Sequence, residues 1–152
     1  MTEPTMLAND LLRSAARLSR WASRHASFDV PFAQARLLAL LDELGPSRVS
    51  VLAAADNTSQ PTMTTQVQRV QAAGWVRRTP DPDDSRATLV SLTPQGREAL
   101  ASVRLARGAV LQPALERLHG PAMDRVRIAV DVLDELLLLA TANPSSPHRK
   151  DA

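Results

Sequence analysis

A mainly helical chain with one β-hairpin is predicted by three observations. Apolar residues recur at helical spacing through most of the sequence. Two stretches rich in β-branched and aromatic residues flank the turn-forming run Asp81-Pro82-Asp83-Asp84. Glycines and prolines fall where helices would begin or end, at Pro31, Gly45-Pro46, Pro61, Gly74, Pro94 and Gly120-Pro121.

The first element is an amphipathic helix from Leu7 to roughly Ala26. Leu11, Ala15, Leu18 and Ala22 form its apolar face, and Arg13, Arg17, Arg20 and Arg24 form a stripe on the other side. A second helix begins near Pro31 and runs through Phe32, Leu37, Leu38, Leu41 and Leu44. After an extended piece at Arg48 and Val49, Ser50 is expected to cap a brief helix, Val51 to Ala55. The tight turn Asp56-Asn57-Thr58 follows, and Ser59 can cap the next helix, with Pro61 in its first turn and Met63, Val67 and Val70 as its seam.

Gly74 is the natural stop. Trp75 to Thr79 and Ala87 to Thr93 then read as the hairpin strands. Thr93-Pro94 opens a helix through Leu100, Val103, Leu111 and Leu115, which Pro113 should kink or interrupt. Beyond Gly120-Pro121, the run from Ile128 to Leu139 is apolar on nearly all sides, so the last helix needs covering by more than one neighbour. The expected fold is therefore a winged helix-turn-helix inside an all-helical dimerisation frame. It divides into an N-terminal dimerisation helix over 1–30, the DNA-binding region over 31–95, C-terminal dimerisation helices over 96–142 and a disordered tail over 143–152.

The 152 residues suit one globular domain. There is no cysteine, and His25, His119 and His148 lie too far apart to suggest a metal site, so thiol chemistry is excluded and no metal or other cofactor is expected. The sequence has no Gly-rich phosphate loop and no base positioned beside a nucleophile, so catalytic residues are expected to be none. No apolar run approaches the length of a membrane span, and Met1 to Asp10 does not read as a signal peptide, so the expected location is cytoplasmic. Lys+Arg is 18 against 16 Asp+Glu, with Lys150 the sole lysine. The basic residues are thus almost all guanidinium groups, which suit ion pairs and phosphate.

Two stretches carry a family resemblance. Asp81-Pro82-Asp83-Asp84-Ser85-Arg86, leading into Leu89-Val90-Ser91-Leu92-Thr93-Pro94-Gln95-Gly96, resembles the wing and following helix start of the MarR family of bacterial transcriptional regulators. Leu52-Ala53-Ala54-Ala55, Ser59-Gln60-Pro61-Thr62-Met63-Thr64 and Gly74-Trp75-Val76 are similar to that family's helix-turn-helix. The resemblance implies a homodimer with interleaved first and last helices. It also implies double-stranded DNA as partner and release by a small, often aromatic or anionic, effector. The sequence departs from the family's pattern at Asp83 and Ser85, where many members carry further basic residues.

Independently of the resemblance, the face opposite Met63, Val67 and Val70 holds Thr62, Thr65, Gln68 and Arg69, with Thr64 at its border and Ser59 and Gln60 at the helix start. These residue types can contact base edges and thymine methyls, or they can form an ordinary solvated face. Arg86 is the candidate for a minor-groove or phosphate contact, or for a salt bridge to Asp84 or Asp81 that only shapes the wing. Trp21, His25, Phe28 and Phe32 are candidate effector-lining residues, or simple packing. The reading is a repressor that binds a near-palindromic operator; the alternative is a winged-helix dimer serving as a protein-interaction module.

Overall fold

The computed structural model describes residues 2–142, so the tail expected over 143–152 lies outside the described residues. The elements in order are α1 (Glu3–His25), α2 (Phe32–Leu44), α3 (Val49–Ala55), α4 (Gln60–Ala72), β1 (Val76–Asp81), β2 (Asp84–Leu92), α5 (Pro94–Leu115) and α6 (Pro121–Ala142). This is the mainly helical, winged architecture that the sequence predicts. The chain divides into two compact units, one over Met1–Val110 and one from Leu111 onward.

In the first unit, Leu38, Leu52, Met63, Val67, Val70 and Val90 are fully buried. These six side chains come from α2, α3, α4 and β2, so one apolar cluster fixes the helix-turn-helix against both the second helix and the wing. Ser59 caps α4 as expected, its hydroxyl accepting from the Thr62 amide at 3.3 Å. Asn57 adopts a positive φ of 52° in the turn between α3 and α4, a conformation asparagine tolerates better than most residues. At the other end of α4, Gly74 has φ +78°. Its amide donates to Gln71 O and the Trp75 amide to Val70 O, both at 2.9 Å, closing the helix and aiming the chain into β1.

The structure revises several expectations. Ser50 caps nothing: α3 starts earlier, at Val49, with Arg48 in the cap position and no side-chain cap bond. The reason lies one residue further back, where Ser47 pairs with Val90 through two backbone hydrogen bonds of 2.8 and 3.0 Å. That bridge ends the extended piece at Ser47. The hairpin turn is also tighter than the expected four-residue loop, because Asp81 and Asp84 themselves face each other across it. Pro113 lies inside α5 near its end, and the helix terminates at Leu115 rather than breaking at the proline.

α1 begins four residues before the expected Leu7, with Pro4 in its first turn. Only Ala22 of α1 is buried, while Leu7, Leu12 and Leu18 are exposed. Within the arginine stripe, Arg13 pairs with Asp10 of its own helix at 2.9 Å. In the second unit α6 buries no residue, and Ile128, Leu136, Leu137, Leu138 and Leu139 are all exposed, Leu138 at 71%. Asp124 pairs with Arg127, again within one helix.

Candidate nucleic-acid interface

The apolar side of α4 is anchored by Met63, Val67 and Val70, and this burial leaves the opposite side outward. Thr62, Thr65, Gln68 and Arg69 are exposed, as are Ser59 and Gln60 at the helix start, and Thr64 is half-buried at the border. The threonine hydroxyls are already engaged as donors: Thr64 Oγ1 donates to Gln60 O at 2.8 Å and Thr65 Oγ1 to Pro61 O at 3.1 Å. They can therefore offer outside partners only acceptor lone pairs and methyl groups. Ser59 and Thr62 share a hydroxyl hydrogen bond of 2.8 Å. Arg69 forms no ion pair among the described residues, so its guanidinium is free to meet an external acceptor.

The wing is the antiparallel pair β1 and β2, in register from Val76 opposite Leu92 to Pro80 opposite Thr88. The register then slips between Pro80 and Asp81, which faces Asp84, so Ser85, Arg86 and Ala87 have no partner across the hairpin. Arg86 thus sits in a bulge at the wing tip and is exposed. Neither of the two candidate salt bridges to Asp84 or Asp81 forms. The Arg86 amide donates to Asp84 Oδ1 at 3.1 Å, but its side chain has no ion pair among the described residues.

The cation that engages those aspartates is Arg48, which sequence reasoning missed. Arg48 Nε and Nη2 both approach Asp81 Oδ2 at 2.6 Å, and Nη1 lies 3.7 Å from Asp84 Oδ2. The Asp83 amide donates to Asp81 Oδ1 at 3.0 Å. That amide, followed by the Arg48 guanidinium, holds the Asp81 carboxyl below its ordinary value against the opposing effect of burial. The clamp therefore stays charged throughout the neutral range. Nothing local in the sequence signals a contact spanning 33 positions.

Residues 32–88 match the MarR family. Over 128 residues the chain is 33% identical to an HTH-type transcriptional regulator of Mycobacterium bovis, covering 84% of this chain and 90% of that protein. The chain belongs to the MarR family.

Solved structures agree on the fold. A putative transcriptional regulator from Pseudomonas aeruginosa superposes with a TM-score of 0.75 at 26% identity, covering 91% of this MarR-family chain and 97% of the other. A transcriptional regulator from Thermotoga maritima gives 0.68 at 26%, covering 93% and 99%. The protein is accordingly a transcriptional regulator of the MarR winged-helix family, and DNA binding follows from the family. Its relatives are regulators and not enzymes. Among the described residues, no helix is long and apolar enough to cross a membrane.

The four candidate effector residues do not share one cleft, although Phe32 also borders a hollow with Arg20 and Arg24, two arginines that flank Trp21 as well. Phe28 and Phe32 line a cleft of about 100 Å³ together with Arg36, Leu100, Arg104 and Arg107, where α1, α2 and α5 approach each other. Trp21 and His25 lie outside it: their rings stack with centroids 4.5 Å apart, and Trp21 borders a separate open hollow with Arg17, Arg20 and Arg24. The three cleft arginines are the residues the sequence did not reveal as a group. Each is engaged, Arg36 with Asp56, Arg104 with Asp42 at 2.8 Å, and Arg107 with Ser19 Oγ at 2.6 Å. Among the described residues, Arg107 Nε is nevertheless a buried donor without a partner.

Proposed function

We propose that this MarR-family protein is a cytoplasmic homodimeric repressor that occupies a near-palindromic operator and is released by a small anionic aromatic molecule. The observation that carries the DNA reading is the split of α4 into a fully buried apolar side and an outward side bearing Thr62, Thr65, Gln68 and Arg69. Gln68 and Arg69, with the lone pairs and methyls of Thr62, Thr64 and Thr65, supply the chemistry for base edges, while Ser59 and Gln60 approach the backbone at the helix N-terminus. Arg86, unpaired at the wing tip, supplies a minor-groove or phosphate contact. Two-fold symmetry puts the half-sites about one helical turn, roughly 10 bp, or a multiple of it apart. Residues 1–30 and 96–142 serve dimerisation and 31–95 serve DNA.

The two arginines have different signatures. Arg69→Ala is expected to lose about 1 to 3 kcal/mol on an operator selected from random duplexes and little on unselected DNA, since a base contact carries sequence information. Arg86→Ala should weaken both, and lower the salt slope by about one for each phosphate it no longer neutralises. Binding titrations across a salt series measure both. Salt-independent or absent binding by the wild type would instead indicate a protein-interaction module.

Effector release is supported by the cleft. Its two phenylalanines, three guanidinium groups and the unpartnered Arg107 Nε suit a ring carrying an acid group, and its volume is comparable to a single ring. Arg36 borders the cleft and also pairs with Asp56, the residue that ends α3 in the helix-turn-helix. An anion drawing on Arg36 competes with Asp56 and alters the support of that turn. Trp21 and His25 sit apart and join the site only in a larger ligand's reach. Simple aromatic acids such as benzoate or salicylate should raise the melting temperature of the wild type and lower its DNA affinity, with both responses reduced in Arg107→Ala. Unchanged melting and affinity across such a panel would leave Phe28 and Phe32 as packing residues.

A further inference from the structure

The wing tip is built on a carboxylate. Asp81 is 7% exposed, sits where the hairpin register slips, and uses one oxygen for the Asp83 amide and the other for Arg48. Asp84 is shared in the same way, with one oxygen on the Arg86 amide and the other facing Arg48. Arg48 in turn is fixed at the start of α3, directly after the Ser47 bridge to β2. A single guanidinium on the helix-turn-helix therefore holds both aspartates that shape the bulge bearing Arg86.

We propose that Arg48 is a positioning residue for DNA binding: it acts through Asp81 and Asp84 to set where the wing delivers Arg86. The proposal rests on the reading of Arg86 as a DNA contact. The geometry also explains how a wing carrying Asp81, Asp83 and Asp84 remains compatible with a polyanion. Two of those carboxylates face Arg48, and their combined role is to place the exposed Arg86. A flexible tip would lose ordering entropy each time it met DNA, whereas a clamped one has lost it already.

The test is a double-mutant cycle using full-length protein, a duplex selected from a random pool by the wild type, and a salt series. Arg86→Ala fixes the scale of the wing contact. Arg48→Gln is expected to weaken binding by about three- to tenfold and to lower the salt slope toward that of Arg86→Ala, yet to add nothing in the Arg86→Ala background. Asp81→Asn distinguishes positioning from direct attraction. Removing a negative charge should tighten DNA binding if charge alone matters, but should weaken it, like Arg48→Gln, if the clamp matters. Should buried Asp81 not tolerate the change, Asp84→Asn, at the half-exposed partner, makes the same comparison. Melting temperatures within a few degrees of wild type are required of each variant used.

An Arg86→Ala protein that binds as the wild type does would overturn the DNA reading of Arg86, and the proposal with it. If Arg86→Ala weakens binding while Arg48→Gln leaves affinity and slope unchanged, the positioning role alone is wrong. Equal losses from Arg48→Gln in both backgrounds, or opposite effects of Arg48→Gln and Asp81→Asn, would likewise overturn it and make Arg48 an independent contact.

Discussion

Gly96→Ala is expected to destabilise the first unit by about 3 kcal/mol or more, among the largest effects of any single methyl in this chain. A Cβ at Gly96 would lie 2.0 Å from the backbone oxygen of Trp75, with the Trp75 carbonyl carbon at 2.9 Å. The obstruction is backbone and cannot rotate away. That oxygen also accepts the Thr93 amide at 3.0 Å, while Thr93 Oγ1 donates to Gly74 O at 2.6 Å and accepts from the Gly96 amide at 3.1 Å. Relieving the clash means separating the start of α5 from the base of the wing and breaking these bonds. Gly108→Ala is the control, since its Cβ would meet nothing within 4 Å and a helical alanine should stabilise by about 0.5 to 1 kcal/mol. Urea denaturation decides: a Gly96→Ala protein within about 1 kcal/mol of wild type would show that the junction can open at little cost.

Removing the surface assigned to the proposed dimer is expected to have the second large effect. α6 exposes Ile128, Val130, Leu136, Leu137, Leu138 and Leu139, and fully burying one such side chain is worth about 1.5 to 3 kcal/mol. A second copy would cover them. In the proposed dimer a second copy would cover the exposed Leu7, Leu12 and Leu18 of α1 as well, so truncation after Gly120 should give aggregated or unfolded protein. The milder pair Leu136→Glu with Leu139→Glu should shift sedimentation from dimer toward monomer and reduce operator affinity by more than about a hundredfold, since two half-sites are then bound separately. A well-folded, monomeric truncation product would sink the dimer reading.

Local chemistry made most of the fold legible. Ser59, Pro61 and Gly74 announce α4, and the aspartate run announces the hairpin, because caps and turns depend on neighbours within a few residues. The outward set on α4 followed from the seam at Met63, Val67 and Val70, since helical geometry turns one face into knowledge of the other. What stayed hidden was made of pairs distant in sequence. The Ser47 bridge to Val90 displaced the cap from Ser50, and Arg48 reached Asp81 across the whole of α3, α4 and β1. The cleft was only half legible. Aromatic scarcity pointed to Trp21, His25, Phe28 and Phe32 alike, and carried no sign that the two phenylalanines share a cleft with Arg36, Arg104 and Arg107 while Trp21 and His25 stack on each other.

The junction of Gly74, Trp75, Thr93 and Gly96 has a mechanical consequence. Trp75 hydrogen-bonds back to α4 through Val70 O and forward to Thr93, so the end of one helix, the root of the hairpin and the start of the next are riveted at one point. Arg78 adds a second rivet, donating to Gln71 Oε1 of α4 at 3.0 Å. On the proposed reading, in which both meet DNA, helix and wing act as the two jaws of a fixed-gauge caliper. With the gauge set by the protein, a duplex of unsuitable groove width has to deform to fit, and the stiffness of its base steps becomes part of what is recognised at positions no side chain touches.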